Sequence, residues 1–432
     1  MQKSSRNLGC IGVTFDDPRS VANAGLILPA TLAQKLGIKS IANSIVDLKD
    51  RPGHFRPGNK IMTLVHSMLA GGSFIDDADV LRSASTDQVL GHEVMAPSTL
   101  GTFLRSFTFG NLRQLDRLHK ETLRRAWAAG AGPGNEEMTI DMDSTICKVY
   151  GKQKQGASYG YTKVLGYHPL LATRADTGEA LHLRMRKGSA GSARGAGYFA
   201  QETFRRVRSC GATGQLTLRA DSAFFSHSVI DTCTTNDVRF SITVDQNPAV
   251  VRLISALDEN DWVSIGYTDD GEAEVGETNY WGHRLVVRRT RLTGKQAQLF
   301  PGWRYHAFIT DRQGTAVELD ADHRRHAVVE LAIRDLKEGA GLEHVPSGNY
   351  WANGAWFAIC ALAHNLMRWT ASIGAGHENT LVVKTMRHRL FSVPGRMTKR
   401  GRKQHLHLPT EWRWAEGFME VLANLRAVRL VT

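Results

Sequence analysis

The chain has 432 residues, of which 42% are hydrophobic and 22% charged, so it can bury a core and global disorder is excluded. Its 54 Lys and Arg residues against 42 Asp and Glu give a net charge of +12, which favours a polyanionic partner, either nucleic acid or an anionic membrane surface. The sequence lacks a membrane-length apolar run, the apolar stretch of a secretory signal and a CxxC motif, so we expect a cytoplasmic protein without a disulfide scaffold.

The first 130 residues are predicted to be mainly helical. Apolar periodicity indicates helices at 60–70, 76–90, from 97 onward and at 112–129. Ser98 is the expected N-cap of the third helix. The helices at 60–104 are a candidate helix-turn-helix, although small bundles of other kinds show the same pattern.

The period changes after the Gly-rich hinge at 130–134. Residues 138–143 alternate apolar and polar side chains, which is typical of a half-buried strand. Further strands are predicted at 161–185 (two, with a turn at 176–179), 215–220 and 238–244, and helices at 198–209 and from 226. The order β-β-β-α-β-α-β predicts an α/β domain. Short strands follow at 258–315, then a helix at 320–338 and a buried helix at 352–369.

Three carboxylates are candidates for chemistry. Asp143 and Asp221 end strands, where side chains reach an open crevice, and Glu330 lies on the helix after the strand-rich insertion. Three carboxylates suit two Mg²⁺ ions, which activate a water or 3′-hydroxyl and stabilise the leaving oxygen in phosphoryl transfer. Each Asp taken alone also fits a turn or a helix cap. Asp141 is an alternative to Asp143 as the catalytic residue, because both side chains point to the same face of the strand.

The helix around Glu330 has one polar face. At 100° per residue, five side chains fall within a sector of about 80°: His323, His326, Glu330, Arg334 and Lys337. The opposite side carries Val328, Leu331 and Leu336. This face suits metal and phosphate, but a solvated face with i, i+4 pairing has the same pattern.

Three blocks of the sequence resemble bacterial insertion-sequence transposases of the DDE type. IDMDST at 140–145, followed by VYGK at 149–152, resembles the first-Asp block, and LRADSAFF at 218–225 resembles the second. The family's Glu block, Tyr-x2-Arg-x3-Glu-x6-Lys, reads here His323-x2-His326-x3-Glu330-x6-Lys337. Two His residues thus replace the usual Tyr and Arg, while Glu330 and Lys337 keep their spacing.

The resemblance implies an α/β fold with an RNase H-like core, that is, a mixed five-stranded sheet with flanking helices. It implies five regions: a helical region at 1–130 that binds DNA ends, the first part of the core at 131–257, a β-rich insertion at 258–315, the second part of the core with the Glu helix at 316–375, and a basic C-terminal region at 376–432. Asp143, Asp221 and Glu330 would be catalytic and would bind two Mg²⁺ ions, for which Mn²⁺ can substitute. His323, His326, Arg334 and Lys337 would contact DNA.

Two further basic segments are candidate DNA-binding surfaces. Residues 384–403 hold eight Lys or Arg residues and no acid, among them Lys399, Arg400, Arg402 and Lys403. This segment either neutralises phosphates or forms a disordered solubilising loop. In the insertion, Arg288 and Arg289 accompany Trp281, which either stacks on an unpaired base or lies in the core. The Gly-rich loop at 184–197 is basic and suits close approach to phosphate.

The resemblance predicts an enzyme of a mobile element. It would cleave transposon-end double-stranded DNA and join the 3′-hydroxyl ends to target DNA, by cut-and-paste, as a homodimer in a synaptic complex. Two alternatives stay open: a metal-dependent nuclease of the same fold that does not join ends, and a catalytically silent DNA-binding repressor. A membrane partner is excluded because the basic runs lack an amphipathic helix with a large apolar face.

Overall fold

Helices make up most of the chain before residue 130. The computed structural model describes residues 8–160, 162–266, 271–292, 302–376 and 382–430. In the first of these ranges the helices are α1 (Ile27–Lys35), α2 (Ile38–Ile45), α3 (Pro57–Ala70), α4 (Thr86–Leu90), α5 (Pro97–Arg105) and α6 (Phe109–Ala126). Gly71 ends α3 in a left-handed conformation, which glycine adopts readily.

Two helix predictions in this region are wrong in detail. The helix expected at 76–90 is broken into a 3-10 segment, Asp76–Arg82, and α4, because Ala84 between them has a left-handed backbone with φ of 42°. Ser98 is not an N-cap, since Pro97 already begins the helix and Ala96 occupies the cap position.

The helix α3 is unsuited to reading DNA in a groove. Every residue from Pro57 to Leu69 is buried, and the helix packs against α2 and a long helix near the C-terminus. A recognition helix must present an exposed face to the major groove. The candidate helix-turn-helix at 60–104 therefore does not use this helix as its reader.

The strands fall into one large sheet and two small ones. In chain order they are β1 (Ser20–Val21), β2 (Met138–Ser144), β3 (Cys147–Lys148), β4 (Ser158–Tyr159), β5 (Leu165–Tyr167), β6 (Leu170–Arg174), β7 (Ala180–Arg184), β8 (Leu216–Ala220), β9 (Val238–Val244), β10 (Val263–Ser264), β11 (Gly271–Tyr280), β12 (His283–Leu292), β13 (Arg304–Thr310), β14 (Gly395–Arg400) and β15 (Lys403–His407).

The large sheet is mixed and has nine strands among the described residues, in the order β10-β11-β12-β13-β9-β8-β2-β6-β7. At its centre β2 pairs in parallel with β8 and antiparallel with β6, and β8 pairs in parallel with β9. Strands of the predicted insertion continue the same sheet, because β13 pairs directly with β9. The predicted α/β class with a mixed sheet is confirmed, and the sheet is wider than the five strands expected.

The remaining helices surround this sheet and its insertion. They are α7 (Ala196–Cys210), α8 (His227–Thr235), α9 (Pro248–Ser255), α10 (Ala316–Arg324), α11 (Val328–Arg334), α12 (Tyr350–Ala375), α13 (Val383–Met386) and α14 (Ala415–Ala427). The 26-residue α12 is buried along most of its length and packs against α3, α6 and α14. No helix in the described ranges is both long and apolar enough to cross a membrane.

The predicted helix at 320–338 is not a single α-helix. It starts earlier, at a capping box of Thr315 and Glu318, and contains a tighter 3-10 turn at Arg325–Ala327 and a wider π turn at Asp335–Gly339. These turns change the rotation from one residue to the next, so the side chains do not point in the directions that a regular α-helix would give them. Val328 and Leu331, predicted on the buried side, are 39% and 49% exposed.

The basic segment near the C-terminus is ordered into secondary structure. The hairpin of β14 and β15 pairs with β1 from the start of the chain, and Met397 packs with Val21 in a small apolar cluster. The alternative of a disordered loop at 384–403 is therefore wrong.

Candidate active site

Parallel strand pairing brings two of the predicted carboxylates together. β2 and β8 pair in parallel register, so Asp143 and Asp221 reach the same edge of the sheet. Asp143 accepts a hydrogen bond from the backbone N–H of Ser144 (2.6 Å), and Asp221 accepts one from that of Ala223 (3.0 Å). Both carboxyl groups are partly buried.

Glu330 faces the same opening from α11. Asp143 and Glu330 line one open cavity of about 290 Å³, together with Arg334 and Lys337. Arg334 is exposed, and Lys337 donates a hydrogen bond from Nζ to the backbone oxygen of Ile146 (2.9 Å). The cavity is thus lined by both carboxylates and cations.

The carboxylates act on one another electrostatically. Burial raises the pKa of Asp143 to about 6; the charges of Asp221 and Glu330 add to the rise, and the Ser144 N–H and the His326 ring oppose it. Burial also raises the pKa of Asp221, again against the effect of His326. Asp143 therefore lies within electrostatic reach of both other carboxylates.

The donor set at this edge suits a divalent cation. Carboxylate oxygens are the ligands that Mg²⁺ and Mn²⁺ prefer, and the raised pKa of Asp143 indicates negative charge that a cation would neutralise. In the ranges that the structure covers, no three His, Cys, Asp or Glu side chains are gathered closely enough to form a ready metal site.

The two histidines of the Glu helix point inward. His323 is 3% exposed, its ring nitrogens lie 2.8 Å from the hydroxyl of Ser241 and 3.0 Å from that of Thr243, and its ring stacks on Phe308. His326 is partly buried, and its Nδ1 lies 3.0 Å from Oδ1 of Asp141. The predicted DNA contact by His323 is therefore wrong in this structure, and the bonded nitrogen of His326 faces the interior.

Asp141 differs from Asp143 in its surroundings. It is fully buried, and both carboxylate oxygens accept hydrogen bonds from the guanidinium of Arg219, Nε to Oδ1 at 2.8 Å and Nη2 to Oδ2 at 2.9 Å. Sequence reasoning missed Arg219, although an Arg in the apolar run LTLRA signals a buried ion pair.

The arginines of the insertion are paired within the protein. Arg289 is 5% exposed, forms ion pairs with Glu259 and Glu274 (2.5 Å each), and lies between the rings of Trp262 and Trp303. Arg288 forms an ion pair with Asp320 (2.9 Å). The predicted DNA contact by Arg289 is wrong because its guanidinium is enclosed, and the guanidinium of Arg288 is engaged by a buried carboxylate.

Trp281 lies at the surface in an aromatic cluster. It is 40% exposed, and its indole stacks on His227 and on Phe225, with ring centroids 3.9 and 4.4 Å apart. Phe225 follows Asp221 by four residues along the chain. The alternative that Trp281 is a core residue is therefore wrong.

The Gly-rich loop reaches the residue next to Asp143. Arg186 is buried and donates from Nη1 to the backbone oxygens of Gly191, Ser192 and Arg194. The hydroxyl of Ser192 lies 3.0 Å from that of Ser144. The exposed Arg194 is thereby held near the site, a feature that spacing along the sequence did not reveal.

The basic hairpin of β14 and β15 is exposed. Four of its cations have exposed side chains: Lys399, Arg400, Arg402 and Lys403. The side chains have no acidic neighbours within the hairpin sequence 395–407. The hairpin is thus a positively charged surface on an ordered element.

Comparisons with known proteins give one family match. The family model described as transposase DDE domain group 1 matches residues 6–430. The chain is also similar to a solved structure of a piggyBac transposase synaptic complex with hairpin DNA, at 11% identity, over 86% of this chain and 80% of that one, with a TM-score of 0.46. A search of curated proteins finds no match.

Proposed function

The chain belongs to the DDE transposases of group 1, and from this premise we propose that it cleaves DNA at transposon ends and transfers the 3′-hydroxyl ends into target DNA. The observation that carries the proposal is the parallel pairing of β2 and β8, which presents Asp143 and Asp221 at one edge of the sheet, with Glu330 on the same cavity as Asp143.

We assign the core an RNase H-like fold. The five strands from β2 to β9, counted without the small sheet of β3, β4 and β5, have the spatial order 3-2-1-4-5, with the second strand antiparallel to the first. This order supports the assignment. The strands at 263–310 are then an insertion between the second Asp and the Glu, which widens the sheet beyond β9.

In the proposed reaction Asp143, Asp221 and Glu330 would hold two divalent cations, Mg²⁺ or Mn²⁺. Such ions would supply activation of the attacking water or 3′-hydroxyl and stabilisation of the leaving oxygen. Arg334 and Lys337, which line the cavity, bind phosphates of the strand that is cut. Arg194, two residues after Ser192, and the hairpin cations extend this positive surface along transposon-end or target DNA.

We propose that two copies of the chain act together as a homodimer, because two transposon ends must be processed in one event. Each copy then supplies its own set of three carboxylates. This part of the proposal is tested by the mass of the complex formed on paired ends.

The test is cleavage and joining of end-containing DNA in the presence of Mg²⁺. We expect Asp143→Asn, Asp221→Asn and Glu330→Gln each to reduce strand cleavage by about 1,000-fold or more, because each removes a charged ligand of the ions. Asp231→Asn, an exposed acid on α8, is the matched control and should cleave at the parental rate.

The alternatives give different outcomes. Cleavage without joined products would indicate a nuclease, and end binding without cleavage would indicate a repressor. Parental cleavage in any of the three carboxylate variants would contradict the assignment of the site.

A further inference from the structure

One buried network lies beneath the candidate active site. Asp141 accepts two hydrogen bonds from Arg219 and is contacted by His326 Nδ1 at 3.0 Å, and Arg219 Nη1 also donates to the backbone oxygen of Asp322 (2.6 Å). Asp141 and Arg219 are 0% and 2% exposed. The carboxylate of Asp141 on β2 therefore contacts both β8, through Arg219, and the segment before α11, through His326.

Each member of this network is a near neighbour of one candidate ligand. Asp141 precedes Asp143 by two residues on β2, and Arg219 on β8 precedes by two residues Asp221, which follows the strand with an extended backbone. A spacing of two puts side chains on the same side of a strand. His326 precedes Glu330 by four residues, about one helical turn.

We propose that Asp141, Arg219 and His326 form a positioning layer, which fixes the three metal-binding segments relative to one another; this inference rests on the proposed function. Asp141 holds Arg219 through two parallel bonds, a geometry that restrains both direction and distance between β2 and β8. His326 then fixes the start of the Glu helix against the same carboxylate.

The shape of the helix supports this role. His326 lies in the 3-10 turn at Arg325–Ala327, which interrupts the helix between α10 and α11. The turn allows His326 to reach Asp141 while Glu330, only four residues later, is exposed toward the cavity. A regular α-helix would place these two side chains on nearly the same face.

Fold stability alone gives little reason for such a network. A buried ion pair often contributes no more than well-packed apolar side chains would, since both charges must be desolvated. Groups that orient metal ligands, in contrast, typically change metal affinity or activity by about 10- to 100-fold when they are removed. The positioning layer therefore predicts a loss of metal affinity in variants that remain folded, in addition to the destabilisation that follows when one partner of a buried pair is removed.

The experiment measures binding of Mn²⁺ alone to the full chain, by electron paramagnetic resonance, alongside Mg²⁺-dependent cleavage of end DNA. We expect Asp141→Asn and Arg219→Gln to weaken Mn²⁺ binding and slow cleavage by about 10- to 100-fold each, with the double variant no worse than the singles. Binding of end DNA in EDTA should stay at the parental level. Glu179→Gln is the matched control, since Glu179 is a buried carboxylate close to Arg174 (3.6 Å) on the β6–β7 hairpin.

His326 provides a test that does not depend on replacing a fully buried charge. His326→Asn keeps a donor near the position of Nδ1, whereas His326→Ala removes it, so we expect Asn to retain most of the Mn²⁺ affinity and Ala to lose it. Rescue by Gln but not by Asn would assign the role to Nε2 and contradict the positioning layer.

The failure of this inference differs from failure of the proposed function. Folded Asp141→Asn and Arg219→Gln proteins with parental Mn²⁺ affinity and cleavage would overturn the positioning layer. If both fail to fold, equal Mn²⁺ affinity of His326→Ala and the parent would overturn it. Loss of the proposed function would instead appear as parental cleavage in Asp143→Asn.

Discussion

The ring of His227 lies parallel to the indole of Trp281, with centroids 3.9 Å apart and an interplanar angle of 7°. Phe225 stacks on the same indole at 4.4 Å. Two aromatic side chains that follow Asp221 in the chain thus support an exposed Trp from the neighbouring β11–β12 hairpin. Trp281 itself has a left-handed backbone, with φ of 54°, in the turn between the two strands.

We expect this cluster to hold an unpaired base of the transposon end. Stacking of a base on an aromatic side chain contributes about 1–3 kcal/mol. We therefore expect Trp281→Ala to weaken retention of the terminal base by about 10-fold, and Trp281→Phe to retain most of it. Fluorescence of 2-aminopurine at the transposon end reports stacking directly. Equal quenching in the parent and Trp281→Ala would contradict the role of Trp281.

Arg289 should stabilise the insertion without contributing to DNA binding. Its guanidinium is enclosed by two tryptophans and two glutamates, so Arg289→Ala leaves Glu274 without its ion-pair partner. Because Glu259 and Glu274 are 79% and 25% exposed, their charges stay hydrated in the variant, and we expect the lost ion pairs and ring contacts to lower the free energy of unfolding by about 1–2 kcal/mol. Urea unfolding measures this change, and end-DNA affinity below the transition should equal that of the parent.

Arg291 gives a matched control for this prediction. It pairs with Glu272 on the same two strands, but its side chain is 46% exposed. Arg291→Ala should therefore change the free energy of unfolding by less than about 1 kcal/mol. A weaker DNA affinity for Arg289→Ala at unchanged stability would restore a direct role in DNA binding.

The sequence was sufficient to locate the central strands of the large sheet but not the partners of charged side chains. Alternation at 138–143 and the run at 215–220 are sufficient to predict β2 and β8, because a strand's period is a local property. The position of Arg219 within the second run also shows a buried charge. Only the fold shows that its partner is Asp141 rather than Asp143, since the two acids share one strand face.

The helix that carries Glu330 shows a second limit of prediction from the sequence. A constant 100° per residue places His323, His326 and Glu330 on one face, whereas the 3-10 turn directs the histidines inward and leaves Glu330 exposed. Tertiary contacts, here with Ser241 and Asp141, decide where such a turn forms. The ion pairs of Arg289 and Arg291 were easier to predict, because Glu274 and Glu272 lie directly opposite them on the neighbouring strand.

The cations of the β14–β15 hairpin should contribute to DNA affinity through phosphates rather than bases. Replacing Lys399, Arg400, Arg402 and Lys403 by Gln removes four exposed charges, so the slope of log K against log salt should decrease by about 3 to 4. Fluorescence anisotropy of labelled end DNA over a salt series measures the slope.

A control variant must lose the same number of positive charges at a different place on the surface. Four exposed cations on α7, β9, α9 and α14 serve this purpose: Arg205, Arg239, Arg252 and Arg426. Their replacement by Gln should change the slope by less than 1, because long-range attraction is screened at moderate salt. Equal slopes for the two quadruple variants would show that the hairpin makes no direct contact with phosphate.

The raised pKa of Asp143 has a consequence for stability in the absence of metal. The group's pKa rises from 3.8 in its ordinary state to about 6 in the folded protein, which corresponds to a difference of about 3 kcal/mol. An acid with a raised folded pKa favours folding most at low pH, and this contribution is lost as pH rises through about 6. In EDTA at pH 8, Asp143→Asn should therefore be more stable than the parent, by up to about 3 kcal/mol, because it removes a penalised charge but keeps an acceptor for the Ser144 N–H.

The advantage of Asp143→Asn should shrink as pH falls from 6 toward 4, where the parental carboxyl becomes protonated in the folded protein. Thermal unfolding at pH 8, 6 and 4 measures the trend, and Asp231→Asn should show no comparable change because Asp231 is exposed. Mg²⁺ or Mn²⁺ should reverse the order at pH 8, since a bound cation stabilises the parent and not the variant. A stability difference between parent and variant that does not change with pH would show that the pKa of Asp143 is not raised in the folded protein.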